Sequence, residues 1–157
     1  MSPTFRRIFI SGLLAGLIVN LIDVPNSAIL VSPKWMAVLA AQGITPNVPA
    51  ISVFFTLLHF GYGVVMMALA SWLSPTFGAR ARTGLATAAL LLVVNRGFGL
   101  GAVVMGQMPL SIFLQFSWSM VLGSLLAGVI GGRVLFAGSA LSRTHVGTLP
   151  VSAPHFV

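Results

Sequence analysis

The residues with the most chemistry to offer are a single acid, Asp23, and one arginine deep in an apolar run, Arg96. Ionisable groups inside such runs are rare and default to functional candidates, because each must be paired or must line a polar path. His59 is the one histidine within an apolar run; His145 and His155 belong to the C-terminal stretch. Asn20, Tyr62, Asn95, Gln115 and Ser119 complete the set. One carboxylate supplies neither an acid pair for general acid–base work nor an oxygen shell for a hard cation. The chain has no Cys, which excludes disulfides, thiol redox chemistry and Cys-ligated metal. Neither H-E-x-x-H nor G-x-S-x-G occurs, and the glycines at 97, 99 and 101 follow Arg96 inside an apolar run rather than forming a phosphate loop. No catalytic residue, no metal site and no enzymatic activity are expected.

The elements that must position these groups follow from composition. Of 157 residues, 57% are hydrophobic and 6% charged, with a mean hydropathy of +1.05. Soluble domains carry about 25% charged residues, so this chain could not cover a water-facing surface. The net charge of +7 does not signal nucleic acid, because Lys and Arg punctuate apolar runs instead of clustering on a wet face. A membrane-spanning helix needs about 20 apolar residues. Four segments qualify, at about 8–30, 51–73, 83–105 and 111–135. The expected fold is therefore all-α: a polytopic membrane protein of four antiparallel helices in one domain, 1–138, followed by a polar tail, 139–157.

Basic residues set the orientation. Arg6 and Arg7 precede the first span, Arg80 and Arg82 lie between the second and third, and Arg133 and Arg143 end or follow the fourth. Lys34 is the one basic residue in the other loops. By the positive-inside rule both termini are cytoplasmic, in a bacterial inner membrane. Arg6 and Arg7 also resemble part of a twin-arginine export signal, but the long apolar run with Asn20 and Asp23 reads as an uncleaved anchor. The loop at 31–50 is expected to hold two turns of helix in the interface, anchored by Trp35 beside Lys34. The tail has no hydrophobic periodicity and, left alone, should be disordered.

Helices in lipid approach closely where small residues allow it. Gly12, Gly16, Asn20 and Asp23 form one stripe on the first span, and Gln115, Ser119, Gly123, Ala127 and Gly131 another on the fourth. These two stripes are expected to face each other, Gly12 and Gly16 against Ala127 and Gly131. Gly97 and Gly101, with Gly128 and Gly132, would pack a further helix from this chain or another copy.

At 1.5 Å of rise per residue, Asp23 lies roughly 23 Å and Arg96 roughly 20 Å from the cytoplasmic edge, and His59 roughly 12 Å from the outer one. Each polar residue above thus falls in one layer of the outer half. An Asp23–Arg96 ion pair is expected, with Asn20, Asn95 or Gln115 satisfying the remaining donors and lone pairs. Such a pair either fixes helix register or belongs to a proton, ion or anionic-substrate site. Pro25 withholds a hydrogen bond from the carbonyl of residue 21 and could kink the first span there.

Gly12 and Gly16, Asn20, the acid at 23, Asn26 and Trp35 together resemble a family of uncharacterised small bacterial four-span proteins. That resemblance implies no activity. A looser likeness is to small multidrug transporters, which keep one buried acid in the first helix; the longer chain, the outer loop and Arg96 depart from that plan. The sequence reads first as a non-enzymatic membrane protein, a homo-oligomer or an accessory subunit of a larger membrane complex, surrounded by lipid. A small proton- or ion-coupled transporter or channel is the alternative. A pigment- or haem-binding subunit using His59 is a third reading, no cofactor being expected otherwise.

Overall fold

A computed structural model describes residues 3–78 and 80–137. The tail at 139–157, with His145, His155 and Arg143, lies outside the described residues. Five α-helices are present and, among the described residues, no strand: α1 (Pro3–Asn26), α2 (Ser32–Ala41), α3 (Val48–Phe77), α4 (Ala81–Val104) and α5 (Leu110–Phe136). Four helical runs are long and apolar enough to cross a membrane.

The first run departs from expectation. Instead of breaking into a loop near residue 31, the chain passes through a π-helical turn, Ser27–Val31, directly into α2. The helical run covers 38 residues, Thr4–Ala41. Pro25 explains the local form, because it cannot donate to the carbonyl of residue 21. A wider i→i+5 turn follows it without ending the helix. Trp35 thus sits in the second turn of α2, which has no buried residue.

The remaining boundaries have simple local causes. Asn47 caps α3, its Oδ1 accepting from the Ala50 amide at 3.2 Å. Gly78 ends α3 at φ +79°, a backbone region that favours glycine, and the Thr83 hydroxyl donates to its carbonyl. Gly106 (φ +72°) makes the turn between α4 and α5.

α1 packs between α3 and α5, while α4 packs on α5 and more loosely on α3. The core holds Ala15, Val19, Met66, Met67, Ala70, Ala88, Met120, Ala127 and Leu135. Outward faces are also apolar: Trp72, Phe98 and Val104 are 77%, 79% and 81% exposed.

Glycine positions fix the crossings, but not as the stripes suggest. A Cβ on Gly12 would lie 2.5 Å from Val64 Cα, and one on Gly16 would lie 2.6 Å from Phe60 Cα. Both glycines therefore face α3, where Gly63 meets the backbone of Gly12 and Gly16 in return. The neighbouring face of α1 turns to α5, with Val19 against Gly123 and Ala15 against Gly131. The expected pairing of Gly12 and Gly16 with Ala127 and Gly131 is thus corrected: α1 is wedged between two helices and uses adjacent faces. Gly128 and Gly132 do admit another helix, α4 at Gly84. Among the described residues Gly97 and Gly101 pack on nothing, since a Cβ at either position meets open space.

Candidate functional site

Asp23 is 5% exposed and is held from three helical elements. On its own run, the Ser27 hydroxyl donates to Oδ2 at 3.3 Å. From α5, the Ser119 hydroxyl donates to Oδ1 at 2.6 Å, the length of a charge-assisted O–H···O⁻ bond. From α3, His59 Nε2 stands 3.6 Å from Oδ2, inside ion-pair range. Asn26, one turn beyond Asp23, donates through Nδ2 to the Ser119 hydroxyl at 2.9 Å and to the Gln115 carbonyl at 3.1 Å. A relay Asn26→Ser119→Asp23 results. Asn26 Oδ1 is buried beside it without a hydrogen-bond partner. At the exposed end, Lys34 donates to Gln115 Oε1 at 3.2 Å, tying the start of α2 to α5.

The other side of His59 decides its protonation pattern. Asn20 Nδ2 donates to the Thr56 carbonyl at 3.2 Å, which leaves Asn20 Oδ1 to accept from His59 Nδ1 at 2.9 Å. With Nδ1 carrying a hydrogen, a neutral imidazole would present the bare lone pair of Nε2 to Asp23. A lone pair facing a carboxylate is repulsive. A proton on Nε2 would remove that repulsion and complete an ion pair with Asp23.

Arg96 is not a direct partner of Asp23, which corrects the ion pair expected from depth. Its Nη2 donates to Asn95 Oδ1 at 2.7 Å and its Nη1 to the Ser117 hydroxyl at 3.4 Å. The guanidinium lies over the Phe113 ring, 6.0 Å from its centroid. The reason that Asp23 is not its partner is lateral: α1 and α4 occupy opposite corners of the bundle, so equal depth does not bring their side chains together.

The polar layer accordingly splits in two. Asn20, Asp23, His59, Gln115 and Ser119 gather between α1, α3 and α5. Tyr62, Asn95 and Arg96 gather between α3, α4 and α5. The Tyr62 and Ser124 hydroxyls are both buried without a hydrogen-bond partner. Ser27, Thr56 and Ser117 were not singled out from the sequence, and Asn26 entered only through the resemblance, not as a member of the polar layer. Asn26 and Ser27 could have been, since they continue the Asn20–Asp23 stripe by one helical turn.

Both ring nitrogens of His59 are engaged and the residue is 6% exposed, so an axial bond to a pigment or haem would have to displace Asn20 or Asp23. Among the described residues, no group of three or more His, Cys, Asp or Glu could hold a metal ion. Compared with protein-family models, curated proteins and solved structures, the chain matches none.

Proposed function

We propose that the chain is a non-enzymatic integral membrane protein that binds and moves a proton through the Asp23–His59 pair, as a small proton-coupled transporter or channel. The observation that carries this reading is the commitment of His59 Nδ1 to Asn20, which leaves Nε2 and Asp23 to share one proton. Small transporters that rely on one buried acid need that acid free of a fixed cation. Arg96 makes no contact with Asp23, so the objection raised by its presence falls away.

The membrane setting rests on the four long apolar runs and their apolar outer faces. Asn20 meets Thr56, Gly16 meets Phe60 and Gly12 meets Val64, and such opposed numbering supports an antiparallel bundle. Arg6, Arg7, Arg80, Arg82 and Arg133 mark the cytoplasmic end of a bacterial inner-membrane protein. Proton flux into proteoliposomes tests the reading, with loss of flux in Asp23→Asn as the expected result.

A second reading, a homo-oligomer or an accessory subunit of a larger complex, is supported by α4. That helix is the least covered of the four, and Gly97 and Gly101 stand open on it. The mass of the intact particle after mild detergent extraction tests this; a strict monomer would sink it.

A further inference from the structure

Between α3 and α4 lies an open cleft of about 370 Å³, lined by Tyr62, Leu91, Val94, Asn95 and Phe98. Its volume is at the lower end of the range for small-molecule sites. Three walls are hydrocarbon or aromatic, and Val94 and Phe98 carry the cleft out to the apolar surface. The polar lining residues, Tyr62 and Asn95, can both donate; Arg96 does not line the cleft but stands behind Asn95, bonded to its Oδ1. Tyr62 Oη and Arg96 Nε are buried without a hydrogen-bond partner. Asn95 spends its oxygen on Arg96 Nη2, which leaves the amide nitrogen to donate.

Charge points the same way. Among the described residues no carboxylate lies within ion-pair distance of Arg96, because the chain's only acid is engaged by His59. A guanidinium in an apolar span without a contacting anion is costly, and an incoming anion offsets that cost.

We infer that the α3–α4 cleft binds an amphiphilic anion from the bilayer, its acidic head meeting Tyr62 and Asn95, drawn by the charge of Arg96 behind them, and its hydrocarbon chain lying along Leu91, Val94 and Phe98. The site is separate from Asp23–His59 and stands whether or not that pair moves a proton.

The test uses full-length protein in detergent micelles, incubated with oleate, with monoolein (a similar chain, uncharged) or with dioleoylphosphatidylglycerol, and read by native mass spectrometry. Oleate is expected to be retained about tenfold more than monoolein, the scale of a hydrogen bond to a charged group. Stronger retention of the phospholipid than of oleate supports the site and identifies a phosphodiester headgroup as the anion. Arg96→Gln abolishes the preference for charge, Val94→Trp fills the cleft and lowers retention of every ligand, and Lys34→Gln changes neither. If Arg96→Gln does not fold, Tyr62→Phe removes one hydroxyl and weakens oleate retention severalfold. Equal retention of oleate and monoolein overturns the inference. So does an unchanged preference in the Arg96 or Tyr62 variant, or cross-linking that shows the cleft filled by a helix of a second copy.

Discussion

His59 Nε2 stands 3.6 Å from the carboxylate of Asp23, while its Nδ1 is bonded to Asn20 at 2.9 Å. The imidazole is thus fixed between an amide that must accept and a carboxyl group that must share. Rotation of the ring would break both contacts, so a proton placed on Nε2 would face Asp23.

Ser119 holds that neighbour in place. Ser119→Ala leaves Asp23 Oδ1 without its 2.6 Å donor and Asn26 Nδ2 without its side-chain acceptor. The expected loss is about 1–2 kcal/mol, at the upper end for polar contacts between membrane helices. Thermal unfolding in detergent measures it, and Ser119→Thr, which keeps the hydroxyl, should recover most of the difference.

The glycines make opposite predictions on different helices. A Cβ on Gly63 meets the backbone of Gly12 and Gly16, which cannot yield as a side chain can. Gly63→Val should therefore cost about 3 kcal/mol or more, read as loss of folded protein on gel filtration. Gly97→Ala meets open space and should stabilise the single chain by up to about 1 kcal/mol through helix propensity.

The same open face separates monomer from assembly. If Gly97 and Gly101 pack a second copy, Gly101→Leu dissociates the particle without destabilising the single chain. A particle mass unaffected by Gly101→Leu removes α4 as the assembly surface.

Topology is checkable without background, because the chain has no cysteine. Gln42→Cys and Gln107→Cys should react with a membrane-impermeant maleimide added outside intact cells. Thr76→Cys should react only after the cells are opened. The reverse pattern would invert the orientation drawn from the arginines.

How much of this was readable beforehand differs by feature. Hydropathy marks α3, α4 and α5 well, because a span is a property of composition over many residues. The 38-residue first run was not legible. Pro25 reads as a kink and the stretch at 31–50 as a loop, and only the π turn shows how the helix runs on past the proline. The common level of Asp23 and His59 was legible, since each residue rises about 1.5 Å along its helix. Their bearing around the bundle was not. Which corner a helix occupies depends on where backbones approach, and Gly63 and Gly84 settle that only once their partners are known. Asp23 thus finds His59, on an adjacent helix, while Arg96 remains across the bundle.

The central claim is that Asp23 and His59 share a proton that the protein moves. Proteoliposomes loaded with a pH-sensitive dye and given an imposed proton gradient test it most directly, with Asp23→Asn as the matched variant of nearly equal volume. Wild-type protein should dissipate the gradient faster than empty liposomes, and Asp23→Asn, folded to the same extent by thermal unfolding, should match the empty liposomes. Equal rates for wild type and Asp23→Asn, or a wild type no faster than lipid alone, would contradict the account.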